Sequence, residues 1–97
     1  MDFIRHYKTT GEYEDIMGTL TLDNMQGIIG DYCEVIYSGQ IDLVVSENGR
    51  LLGLPYNFIW KNTPLYGEVL VGKLSDEGLE PVSCEVLDAF HNSEYYR

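Results

Sequence analysis

Ile41-Asp42-Leu43-Val44-Val45-Ser46-Glu47-Asn48-Gly49-Arg50-Leu51-Leu52-Gly53-Leu54-Pro55 is the stretch on which the reading of this chain turns. It opens as an apolar, β-branched run of the kind that suits a strand. Asn48-Gly49 follows, and both residues tolerate the positive φ of a type I′ hairpin turn. Leu51 to Leu54 resumes as a strand and ends at Pro55, which has no N–H for a sheet ladder. Upstream, Tyr32-Cys33-Glu34-Val35-Ile36-Tyr37 is equally strand-like, and Ser38-Gly39-Gln40 is a turn. Residues 31–55 therefore read as a meander of three antiparallel strands.

The flanks extend the pattern. Thr21 to Gly30 reads as a short helix with Leu22, Met25, Ile28 and Ile29 on one face. Thr21 or Asp23 can cap its start, and Asp23-x-x-Gln26 resembles a capping box. Gly30 suits a left-handed end. Gly27, inside this helix, is expected to allow close packing on the sheet. Phe3 to Lys8 alternates like a strand, Thr9-Thr10-Gly11 reads as a turn, and 12–18 receives no assignment. Tyr56 to Trp60, between Pro55 and Pro64, reads as a connection that packs down. Tyr66 to Gly72 is a fourth strand, and Ser75 to Gly78 a turn. Pro81 to Phe90 fits either a helix opened by proline or a strand through Val82, Cys84 and Val86. Asn92 to Arg97 reads as a frayed tail. The expected fold is α+β: a mainly antiparallel sheet of four to five strands with one or two short helices packed on one face. With 97 residues the chain is expected to form one domain, its core over 22–74 and extensions at 1–20 and 75–97.

Sixteen acids against six Lys and Arg give a formal net charge of −10. The distribution is uneven. From Thr9 to Gly49 there is no base, while Glu12, Glu14, Asp15, Asp23, Asp31, Glu34, Asp42 and Glu47 all fall there. Direct nucleic-acid binding needs basic patches, so it is not expected. The surplus serves either solubility or attraction of a protein partner with a basic surface. On an extended strand, residues two apart lie about 6.8 Å apart on one face, which would let Glu12 and Glu14 imitate successive phosphates. Glu12, Glu14, Asp15, Asp31, Glu34 and Asp42 are the candidate acidic binding residues. Tyr56, Phe58, Trp60 and Tyr66 either close the core or form a partner- or ligand-binding patch.

Chemistry has little support in the residues. Cys33 and Cys84 sit among apolar neighbours and are expected as reduced core thiols. His6 and His91 lie at opposite ends and are expected at the surface or as caps. Glu12 with Glu14, and Glu68, are carboxylate candidates only because acids are abundant. Gly67 to Lys73 lacks the Ser or Thr of a phosphate-binding loop. No enzyme activity, metal or cofactor is expected. No apolar run approaches a membrane span, and no basic start with an apolar stretch marks a secretory signal. Asn57 is expected to hydrogen-bond its own turn.

The order Ile29-Gly30-Asp31-Tyr32-Cys33-Glu34-Val35, then Glu47-Asn48-Gly49-Arg50-Leu51-Leu52-Gly53-Leu54-Pro55-Tyr56-Asn57, then Tyr66-Gly67-Glu68-Val69-Leu70-Val71-Gly72 resembles the uncharacterised family DUF3846 over about residues 22–73. Asp31 replaces the second glycine of the family's pair. The resemblance implies a gene carried by phages, plasmids and other mobile elements, and assigns no catalytic residue. The expected function is a small acidic accessory protein, cytoplasmic in a bacterial host. It would bind protein stoichiometrically and inhibit a nucleic-acid-binding host or defence protein as a DNA mimic. The alternative is a small-molecule or nucleotide-binding module built on 55–66. An open sheet edge would also let two copies pair as a homodimer.

Overall fold

The computed structural model describes residues 1–97. In chain order it contains β1 (Asp2–Tyr7), β2 (Tyr13–Ile16), α1 (Leu22–Ile29), β3 (Cys33–Tyr37), β4 (Asp42–Ser46) and β5 (Tyr56–Trp60). These are followed by β6 (Thr63–Tyr66), β7 (Val69–Ser75), β8 (Gly78–Glu80), β9 (Val82–Ser83) and α2 (Cys84–Glu94). The main sheet runs β2-β1-β7-β4-β3, with β8 paired to β7 and β9 to β1. Every pairing is antiparallel. β5 and β6 form a separate hairpin. The fold is α+β.

Side chains alternate between the faces of a strand, so this sheet has two cores. Ile4, Val44 and Leu70 point to one side and pack with Met25 and Ile29 of α1 and with Leu79. Tyr7, Leu43, Val45, Val69 and Val71 point to the other and pack with Leu87 and Phe90 of α2 and with Phe58, Trp60 and Leu65 of the hairpin. The helices thus cover opposite faces, not one. β4 is buried at all five positions because both its faces are covered. That is why Leu43-Val44-Val45 is an unbroken apolar run.

Helix α1 forms where expected. Thr21 is its N-cap, accepting from the Asn24 amide, and Gly30 ends it at φ +79°. Asp23 lies in the first turn. Gly27 is exposed and has nothing within 4 Å of where a Cβ would stand, so it does not serve close packing.

The third strand of the expected meander is absent. Residues 47–54 coil into helical turns instead, with Leu52 N donating to Asn48 O (2.8 Å) and Leu54 N to Gly49 O (3.0 Å). The place beside β4 is taken by β7, pairing Leu43 with Val71. Val69 to Val71 can bury both faces, whereas Leu51-Leu52-Gly53-Leu54 brings a glycine and stops at a proline. Gly49 is needed for another reason: a Cβ there would stand 2.7 Å from Tyr66 O. The paired positive φ values occur at Lys61 (+46°) and Asn62 (+65°), which turn β5 into β6. Tyr56 to Trp60 is therefore a strand, not a connection.

Gly67, at φ +87°, divides the expected fourth strand, so Tyr66 belongs to β6 and β7 starts at Val69. Both readings of 81–90 apply in part: Val82–Ser83 is a strand, and Ser83 then caps α2 by accepting from Val86 N. The tail is held rather than frayed. Tyr96 O accepts from Ile59 N at 2.7 Å, and the Arg97 guanidinium donates to Asn57 O and Thr9 O. The radius of gyration, 12.1 Å, is close to the roughly 12.5 Å expected of this length, since both ends join the core.

Candidate functional site

The basic side chains are largely spent inside the fold. Arg5, on β1 beneath α2, is 2% exposed. Its guanidinium grips both Asp15 oxygens at 2.7 and 3.1 Å and reaches Asp88 at 3.1 Å. Lys8 faces Glu14 at 3.8 Å, and Lys73 faces Asp42 at 3.6 Å. Arg97 is used on backbone carbonyls. Arg50 and Lys61 lie over the rings of Tyr66 and Trp60 and pair with no carboxylate.

The acidic residues singled out in the sequence divide into engaged and free. Asp42 is 1% exposed and accepts from Leu74 N at 2.9 Å, so it tethers β4 to β7 and faces no partner. Asp15 is committed to Arg5. Asp31 accepts from Ser46 Oγ (2.8 Å) and Asn48 N (3.2 Å), pinning the start of the 47–54 loop. Those donors, the Ser46 hydroxyl first, hold its carboxyl below the usual range. Glu14 shares His6 and Lys8. Glu12 and Glu34 remain exposed and free of cations.

Other exposed acids stand on two elements that a backbone bridge joins. Leu20 and Leu79 exchange two backbone hydrogen bonds of 2.9 Å, and Gly78 abuts Leu20 and Thr21. The β7–β8 turn, with exposed Asp76 and Glu77, is thereby brought against the start of α1 and its exposed Asp23. These three carboxylates have no internal cation. Asp23 and the Asp76–Glu77 pair are more than fifty positions apart, so no local pattern relates them.

The aromatic candidates divide. Phe58 is fully buried and Trp60 is 6% exposed, so both are core and neither offers a stacking surface. Tyr56 and Tyr66 are half-buried and meet edge to face at 6.2 Å. Asn57 between them is fully buried. Its Nδ2 donates to Tyr7 O and Gly67 O, each at 2.9 Å. It bonds across elements rather than within its own turn.

The histidines are structural neighbours of other titratable groups. His6, 8% exposed, lies between Glu68 (3.1 Å) and Glu14 (3.4 Å), so it is not a surface residue. His91 is half-buried, with Nδ1 3.0 Å from Tyr7 Oη. Tyr95 stacks on both, at 4.7 Å from Tyr7 and 4.8 Å from His91. Burial pushes the Tyr7 phenol up to about 12, against the opposing effect of Arg5. It therefore holds its proton and is no base. Burial, with the Asp31 charge, also pushes the Cys33 thiol up, away from the thiolate a nucleophile requires. Both cysteines are free, and no three His, Cys, Asp or Glu side chains are grouped as metal ligands. No helix is long and apolar enough to cross a membrane. Arg5 carried no local signal of its role, and His6 and Asn57 are buried against expectation, because each is a polar side chain on a strand covered on both faces. Only the alternation of β1 hinted that Arg5 shares a face with Tyr7.

No curated protein and no solved structure matches the chain. A family model does, and it reaches beyond the central segment to include most of β1 and of α2, the elements that complete both cores. By that match over residues 4–92, the chain belongs to the family described as "Domain of unknown function (DUF3846)".

Proposed function

We propose that this protein is a small accessory binding protein that acts stoichiometrically on a protein with a basic surface. The observation that carries this reading is the internal use of its cations. Arg5, Lys8 and Lys73 each face an acid within the fold. Glu12, Asp23, Glu34, Glu47, Asp76, Glu77 and Glu85 are left exposed and unpaired. Such a field speeds encounter with a basic partner and repels nucleic acid. A partner that itself binds nucleic acid has the matching surface, and occupying it would inhibit that protein. The phage and mobile-element setting implied by the family, and action in the bacterial cytoplasm, fit this role. The alternative nucleotide-binding reading loses two of its four aromatic rings, Phe58 and Trp60, to the core.

The test is capture of bacterial proteins by the tagged chain at about 0.05 M and about 0.5 M salt, where screening differs severalfold in range. A discrete basic partner should be retained at low salt and released at high salt. Neutralising Glu12, Asp23, Glu34, Asp76 and Glu77 together should abolish capture. Asp15, Asp31 and Asp42 are left intact because they hold the fold. Capture that survives both the neutralisation and the high salt would overturn the reading.

A further inference from the structure

We propose that two copies of this chain pair along the outer edge of β3, each placing Leu51 and Leu52 in a groove beside α2 of the other. The main sheet ends in β2 on one side and β3 on the other. β2 reads Tyr13-Glu14-Asp15-Ile16, and two adjacent carboxylates guard that edge against pairing. β3 reads Cys33-Glu34-Val35-Ile36-Tyr37, with one charge, and pairs only with β4. Its outer row of backbone groups is open.

Each end of this strand carries half of a self-complementary contact. At the Cys33 end stands the 47–54 loop, held by the hydrogen bond from Glu47 N to Tyr32 O (2.8 Å). It presents Leu51 at 88% exposure and Leu52 at 58%. At the Tyr37 end a groove opens between Ser38–Ile41 and α2, floored by Ile41, Val86, Ala89 and Phe90 with Glu94 at its rim. Both lie on the α2 side of the sheet. Ile41 and Phe90 belong to that core, and the loop leads into β5, which packs there too. An antiparallel pairing about a two-fold axis near Val35 sets the loop end of one copy against the groove end of the other, twice over.

The charges agree with that placement. Arg50, next to Leu51, is exposed and in no ion pair, and Glu94 is likewise unpaired. The symmetric arrangement brings Arg50 of each copy to Glu94 of the other. Two chains of net charge −10 repel overall, so screening should tighten the dimer. That salt dependence is opposite in sign to capture of a basic partner, so the two are told apart by salt even though Glu34 stands on the paired edge.

Sedimentation equilibrium of the full chain tests this at about 0.05 M and about 0.5 M salt. A dimer is expected, tighter at high salt. L51D/L52D should weaken it at least about tenfold, with an unchanged circular dichroism spectrum because both leucines are already solvated. R50E and E94R should each weaken it, and the combination R50E/E94R should restore it. A chain that stays monomeric up to about 1 mM overturns the proposal. So does a dimer that L51D/L52D and the single reversals leave unchanged.

Discussion

Removing the Asn57 amide should be among the most damaging single changes in this protein. Asn57→Ala deletes the two hydrogen bonds to Tyr7 O and Gly67 O that join β5 to β1 and to the turn between β6 and β7. Each such bond contributes about 1 kcal/mol net, and each buried carbonyl left without its donor adds a desolvation cost of about 1–3 kcal/mol at most. Against this, Asn57 Oδ1 is buried with no partner, and its loss returns part of that cost. The balance is a destabilisation of about 2–4 kcal/mol. In a domain this size that lowers Tm by roughly 10–25 °C. Asn57→Asp should be worse, because carboxylate oxygens would face two carbonyl oxygens with no donor between them. Urea unfolding followed by fluorescence of Trp60, the single tryptophan and a core residue, measures both variants. An Asn57→Ala protein within about 0.5 kcal/mol of the parent at unchanged m-value would refute the reasoning. So would an Asn57→Asp protein as stable as the alanine variant.

Two glycines should respond in opposite directions. Gly27→Ala, in open space within a helix, should stabilise by about 0.5–1 kcal/mol in thermal melts. Gly49→Ala, whose Cβ would stand 2.7 Å from Tyr66 O, should destabilise by about 1–3 kcal/mol and loosen the 47–54 loop, seen as faster amide exchange there. Arg5→Met should cost about 2 kcal/mol by chemical denaturation, and R5M/D15L should cost less than the two single changes added. At alkaline pH the raised Tyr7 phenol contributes stability that is full below the unfolded value near 10 and is lost as pH rises toward about 12. Tyr7→Phe should remove that part of the alkaline loss, together with one late step in the ultraviolet tyrosine titration. At acid pH the sign reverses. Asp31, held low when folded, supports stability above its unfolded value, and that support fades as pH falls through the folded one. Asp31→Asn should flatten this limb of the stability profile.

Much of the secondary structure was legible because it depends on neighbours in sequence. The helix over 22–29, with Thr21 and Gly30 at its ends, follows from a cap, a period and a residue that tolerates positive φ. Strands β3, β4 and β7 follow from β-branched runs long enough to bury. Asn48-Gly49 misled because its local preference for a hairpin yielded to a distant demand, the close approach of the Tyr66 backbone. Lys61-Asn62 made the tight turn although only Asn favours positive φ. β2 carries two acids in four residues, and its pairing with β1 is supplied by Arg5 reaching Asp15, a contact no local pattern announces.

The charge of the chain was plain from its composition, and so was the absence of any base from Thr9 to Gly49. Which acids are free was not. Asp42 and Glu34 stand on paired neighbouring strands, yet one is sealed between β4 and β7 while the other faces water. Phe58 and Leu51 are both apolar, yet one fills the core and the other is almost wholly solvated. By itself the sequence determined helices, strand-forming runs and net charge, because these rest on short-range sterics and on sums over residues. Tertiary structure alone decided strand order, the covering of both sheet faces and the choice of exposed acids. Those depend on which distant surfaces meet, and burial is a property of the meeting.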